Sequence, residues 1–231
     1  MKLFIKAITR FIAGVILVGA LLFIPAGSFN YWNAWLFMGL LFIPMFIAGI
    51  ILMFKNPMLL KSRLDVNEKE KEQKQVIIYS GLMFLSGFIV AGLNYRYSWI
   101  NISNITVIIS SILFVISYIL YAEVLRENTY LSRTIKVQDN QTVVDSGLFS
   151  VVRHPMYSIT LLLFLTIPLF LGSIISLIIF LIYPFIIIKR INNEEIVLER
   201  DLKGYEEYKK KVKYKLIPFI YWLFYKKIIY Y

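Results

Sequence analysis

The 231-residue chain has no cysteine and a single histidine. The first absence excludes disulfides, thiolate nucleophiles and cysteine-based zinc or iron–sulfur sites. The second leaves a multi-histidine metal centre without ligands, so no metal is expected. Charged residues are scarce at 17%, against roughly 25% in an average soluble domain. Residues 159–188 carry no charge at all. None of the 11 glycines forms a G-x-G pair, and neither G-x-S-x-G nor H-E-x-x-H occurs. These gaps speak against dinucleotide-binding, P-loop, hydrolase and metalloprotease chemistry.

What is present is apolar. Hydrophobic residues make up 59% of the chain and the mean hydropathy is +0.70, more continuous apolar surface than a soluble core of this size can bury. The fold class expected is an all-α integral membrane protein. Ranges 7–25, 31–54, 76–93 and 103–124 each supply the about 20 apolar residues of a spanning helix. A fifth apolar block, 156–188, is too long for one span and short for two, with Pro168, Gly172 and Ser173 near its middle. Such breakers predict a tight helical hairpin and about six membrane segments in all. The N-terminal run follows Lys2, Lys6 and Arg10 and lacks a small-x-small cleavage site before Pro25. It reads as an uncleaved first span.

Charge placement orients this layout. With both termini on the cytoplasmic side, every Lys and Arg except Arg96 falls on that side, as the positive-inside bias requires. The net charge of +11 then reports topology and attraction to anionic lipid rather than nucleic-acid binding. The localisation expected is a membrane, the bacterial cytoplasmic membrane by the abundance of Lys, Ile and Asn. Two units are expected: membrane spans over 1–124, and a catalytic region over 125–231 containing a loop, the hairpin and a cytoplasmic C-terminal helix over 189–213. The 67–75 run, NEKEKEQKQ, reads as a solvated loop, and Tyr205, Tyr208 and the aromatic tail 219–231 read as interface anchors of the C-terminal helix.

The polar residues collect at one membrane face. Arg153-His154-Pro155-Met156-Tyr157 opens the hairpin. Proline suits a first helical turn, and a helix N-terminus beside guanidinium, imidazole and phenol favours anionic or hydrogen-bonding ligands. Taken singly, Arg153 reads as a snorkelling anchor and Tyr157 as an interfacial aromatic. Arg190 and Glu194, four residues apart on a helix, share a face continued by Leu198 and Leu202, with Glu195 beside them. Read alone they amount to a surface salt bridge. The hairpin returns its two ends to one face, so 147–157 and 189–195 are expected to border a common cleft. Glu123 closes the fourth span, where interfacial hydration suffices.

The ordered segments GLFSVVRHPMY, RINNEEIVL and GYEEYKKKVKYKLIP resemble the isoprenylcysteine carboxyl methyltransferase family and the related phospholipid N-methyltransferases, over roughly 125–220. The resemblance implies an integral membrane enzyme using S-adenosyl-L-methionine. By motif position it assigns cofactor binding to Gln138, Gln141, Thr142, Val143, Val144, Phe149, His154, Pro155, Met156, Tyr157 and Glu194, and the substrate side to Arg190. Phe149 stands where the family usually has tyrosine, Ile159 replaces a common glycine, and Lys215 replaces a common arginine.

Methyl transfer from a sulfonium needs proximity, orientation and a dry site more than acid–base chemistry. A carboxylate acceptor needs no base, and Arg190 suits its orientation. An amine acceptor needs a proton acceptor, for which Glu195 or a water is the candidate. The expected function is O-methylation of a carboxylate on a hydrophobic or lipidated acceptor. The expected partners are that lipidic acceptor and membrane lipids. The alternatives are a phospholipid N-methyltransferase and a non-catalytic membrane protein.

Overall fold

The computed structural model of the chain describes residues 2–64, 71–131 and 137–218. Arg133, Lys136 and the aromatic tail 219–231 lie outside the described residues. Among those described, all regular structure is helical. Four long helices come first: α1 (Lys2–Ala26), α2 (Trp32–Lys55), α4 (Lys71–Tyr97) and α5 (Asn104–Glu127), with the short α3 (Pro57–Arg63) after α2. A tight turn over Gly147–Ser150 leads to α6 (Pro155–Phe170), α7 (Ile174–Phe180), α8 (Tyr183–Asp201) and α9 (Tyr205–Lys211). Helices α1, α2, α4 and α5 and the combined run Ile174–Asp201 are long and apolar enough to cross a membrane, and α6 is shorter. The protein is an integral membrane protein built of helices.

α1 packs along α4, α5 along α6, and α7 and α8 against α4. Aromatic rings fill the centre: Phe37 contacts Phe88, Phe114 and Phe170, the last with ring centroids 5.3 Å apart. α7 presses Phe180 onto Phe84 and Phe88 of α4. Large side chains such as Leu21, Leu36 and Leu40 fill the edge of this core. By contrast, Ile16, Ile105, Ile119 and Phe185 are left on the outside, as lipid-facing residues should be.

The turn between α6 and α7 sits at one end of the bundle. Gly172 adopts φ +80°, a left-handed conformation in which a side chain is strained, so the chain reverses there without cost. Tyr31 donates to the Leu171 carbonyl, Asn33 to Phe170 at 2.8 Å, and Asn94 to Gly172 and Ile100 at 3.1 Å each. Each carbonyl freed by the turn thus meets a side-chain donor, which apolar surroundings demand.

Three sequence expectations change. The 67–75 run is not all loop: α4 begins at Lys71, and Gln73 is fully buried with its Nε2 donating to the Arg190 carbonyl at 3.2 Å. The polar composition hid a helix whose first turn packs on α8. The apolar block breaks twice. After Gly172 the chain breaks again between α7 and α8, because Pro184 has no N–H to continue the α7 ladder and sits instead in the first turn of α8. Finally, 189–213 is not one helix. α8 runs out of the apolar block without interruption to Asp201, Leu202 turns extended, and α9 restarts after Gly204.

Candidate functional site

The end of the bundle opposite the Gly172 turn holds an open cleft, with about 820 Å³ of empty space including its mouth. Four pieces of chain build it.

The first wall follows α5. The Glu127 carboxylate accepts the Leu148 N–H at 3.1 Å. Gly147 has φ +49°, and a Cβ there would fall 1.4 Å from Glu127 Oε1, so only glycine fits beneath the carboxylate. That turn seats the buried Phe149 ring in the cleft wall. Beside it, the Asn128 side chain accepts the Tyr130 N–H at 3.0 Å. Gln138 Nε2 donates to the Tyr130 carbonyl at 2.5 Å, and Gln141 Oε1 accepts the Gln138 N–H at 2.9 Å. The 137–144 segment is therefore tied to 128–131.

The second wall is the start of α6, where Pro155 occupies the first turn and the Tyr157 and Ser158 amides bond back to the His154 carbonyl. The third is one face of α8, presenting Arg190, Glu194 and Leu198 in a row that Leu202 extends. Tyr157 joins these two walls. Its hydroxyl donates to Glu194 Oε2 and accepts from Arg190 Nε at 2.8 Å, and the guanidinium carbon lies 5.8 Å from the phenol ring centroid.

The fourth piece, 202–216, closes the cleft. Tyr205 and Tyr208 of α9 line it, and Tyr208 donates to the Phe149 carbonyl at 2.7 Å. Burial raises both phenols above their ordinary range, and the charges of Glu195 and Glu194 push Tyr205 further the same way. They stay protonated as donors. The segment after α9 lies along the start of α6: Arg153 N–H donates to the Tyr214 carbonyl at 2.9 Å, and His154 N–H to Lys215 at 3.0 Å.

Behind this wall lies a buried ion cluster. Glu195 is 3% exposed. Its Oε1 accepts from Arg153 Nε at 2.8 Å and meets His154 Nε2 at 3.2 Å, while its Oε2 meets Lys215 Nζ at 2.8 Å. Arg153 also donates to the Val212 and Lys213 carbonyls at 2.8 and 2.9 Å. Arg153 is thus no snorkelling anchor but a 4%-exposed clamp joining α6, α8 and the C-terminal segment. The adjacent glutamates divide sharply: Glu194 faces the cleft, and Glu195 faces protein.

Of the residues singled out in the sequence, Gln141, Thr142, Val143, Val144, Phe149, His154, Pro155, Met156, Tyr157, Arg190 and Glu194 border the cleft. Gln138 and Glu195 do not. Gln138 acts at one remove through Tyr130, and Glu195 is occupied by Arg153, His154 and Lys215. Sequence reading missed Asn128, Tyr130, Leu131 and the α9 tyrosines as wall residues. The Tyr-x-x-Tyr spacing of Tyr205 and Tyr208, one helical turn apart, was the available signal; Asn128 and Tyr130 offered none. Among the described residues no group of three or more His, Asp or Glu is placed to hold a metal ion.

A cleft of carboxylate, guanidinium and aromatic groups thus opens at one end of an apolar bundle. Residues 101–200, less than half of the chain, match the model of the isoprenylcysteine carboxyl methyltransferase family, and over that stretch the resemblance carried by the motifs holds. The matched stretch contains α5, the Gly147 turn, α6 and the Arg190–Glu195 face of α8. No curated protein matches the chain.

Proposed function

We propose that the protein uses S-adenosyl-L-methionine to methylate the carboxylate of a hydrophobic or lipidated acceptor at the cytoplasmic face of a bacterial membrane. In this reading the membrane region has six segments, with α6 as the short fifth and the α7–α8 run as the sixth, and both termini are cytoplasmic. Residues 125–231 form the catalytic region.

The observation that carries the reading is the Glu194–Tyr157–Arg190 chain bridging two walls of one cleft. The wall residues fit the donor's chemistry. Glu194 offers a negative charge to a cationic or hydroxyl-bearing molecule, Phe149 and Tyr130 offer ring faces, and 141–144 offers an extended run of backbone. Gln138 supports that run, and His154, Pro155 and Met156 form the floor. Bound there, S-adenosyl-L-methionine supplies a methyl on a positively charged sulfur: one S–C bond breaks, one O–C bond forms, and sulfonium plus carboxylate become thioether plus ester.

Arg190 orients the acceptor carboxylate at the boundary between cleft and bundle. Tyr157 fixes Arg190 and Glu194 relative to each other, so both reactants are held by one hydrogen-bonded unit, which is where most of the rate advantage of a pre-activated donor arises. The expected role of Glu195 as proton acceptor fits poorly with the contacts of Arg153, His154 and Lys215 that fill its two oxygens. A carboxylate acceptor releases no proton and needs no base, so this favours O-methylation over the amine of a phospholipid.

The test is incubation of the purified protein with methyl-labelled S-adenosyl-L-methionine and a fractionated membrane extract. Base-labile label in an apolar product supports the proposal. Base-stable label in a phospholipid headgroup, or no donor binding by calorimetry, overturns it.

A further inference from the structure

A second arginine stands against Met156 of the cleft floor, outside the region the family model matches. Arg63 ends α3, and α3 is firmly placed. Leu59 and Leu60 are buried, Arg10 of α1 donates to the Leu64 carbonyl, and Ser62 Oγ donates to Leu131 of the cleft wall at 3.4 Å. Met58 on the same helix is 82% exposed, which puts α3 at the edge of the apolar surface. From there Arg63 reaches inward. Its guanidinium donates to the Tyr121 hydroxyl, lies 5.6 Å from that ring centroid, and places Nη1 3.8 Å from Met156 Sδ. Met156 is itself a cleft-lining residue.

These partners, a phenol and a thioether, are neutral. Among the described residues no carboxylate lies within ion-pair reach of Arg63, although a half-buried guanidinium in apolar surroundings gains most from an anion. The groups around the first two turns of α6 are also polar: Tyr121 on one side, Arg190 and Tyr157 on the other, and a Tyr183–Thr160 hydrogen bond of 3.0 Å one turn further on.

We infer that Arg63 is a specificity residue that draws the anionic end of a carboxylate-bearing amphiphile from the bilayer toward Arg190. This rests on the proposed function for the word acceptor, and it adds a requirement: the acceptor is selected for negative charge by two arginines on either side of the α6 N-terminus, whose dipole favours the same sign. Arg63 meets the donor site only at the Met156 thioether, so its main effect is on acceptor binding.

The experiment uses the full-length protein in phosphatidylcholine nanodiscs, without any methyl donor. Binding of a fluorescent long-chain carboxylic acid is compared with that of its neutral methyl ester. The wild type is expected to prefer the acid on the order of tenfold, Arg63→Gln to reduce the preference to about threefold or less, and Arg63→Lys to keep most of it. Affinity for S-adenosyl-L-methionine, measured separately, is expected to stay within about threefold in Arg63→Gln, which also reports an intact fold. Absence of the preference in wild type, its persistence in Arg63→Gln, or its replacement by a preference for added phosphatidylglycerol overturns the inference. Failure of the wild type to bind S-adenosyl-L-methionine strikes at the proposed reaction instead, while the acid-versus-ester comparison still judges Arg63.

Discussion

The two ends of this bundle spend their polar side chains differently. At the Gly172 end, Tyr31, Asn33 and Asn94 each donate to a backbone carbonyl freed by the turn. At the other end, Tyr157, Arg190 and Glu194 border a cleft, and the enclosed Glu195 is turned away from it. One end closes the fold and the other leaves room for chemistry. Glu194 and Glu195 repeat the contrast within a single peptide bond, since neighbouring helix positions point about 100° apart.

Substitutions can break that division, and the largest effect is expected at Arg190. Arg190→Ala should lower methyl transfer by on the order of a thousandfold while donor affinity stays within about threefold, because acceptor orientation is lost and the donor's walls remain. Equal loss of both, seen by calorimetry beside product analysis, would remove Arg190 from the acceptor side. Next comes Glu195→Ala, which leaves Arg153 and Lys215 facing an empty, buried acid site. A destabilisation of about 3–5 kcal/mol is expected, read as a large drop in thermal midpoint in detergent.

Glu194→Ala should sharpen the contrast by doing the reverse. Donor affinity is expected to weaken by about ten- to a hundredfold, the loss of one charge-assisted contact, with a far smaller change in midpoint than Glu195→Ala gives. A midpoint loss matching that of Glu195→Ala would merge the two glutamates into one structural role. The smallest effect belongs to the far end. Asn94→Leu should cost about 1–3 kcal/mol by orphaning buried carbonyls and leave donor affinity untouched. Altered affinity there would mean that the two ends are coupled through α6.

Much of this was legible in the sequence because it depends on local rules. The apolar runs, the breakers at Gly172 and Ser173, and the i,i+4 relation of Arg190 and Glu194 follow from composition and helix period. Most residues assigned by motif do border one cleft. What stayed hidden depends on contacts between distant segments. Gln73 looks like part of a charged loop until α8 is laid against it. Arg153 and Tyr157 look equivalent as interfacial residues, yet the clamp partners of Arg153, Val212 and Lys213, are nearly sixty positions away, and no periodicity announces them. Helix spacing puts Glu194 on the Arg190 face, but nothing local shows that Glu195 is enclosed. Only the rotation of α8 about its axis, set by packing on α4 and α6, decides which acid sees the cleft.

The pairing of residues 153–154 with 214–215 ties catalysis to the order of synthesis. Until the ribosome has released the chain past Leu216, His154 and Arg153 lack their backbone acceptors and the α9 tyrosines have no place to dock. A nascent protein with every apolar helix already inserted still has an unfinished cleft. On the proposed function, a chain cut short before this point should sit in the bilayer as a packed bundle unable to bind a methyl donor.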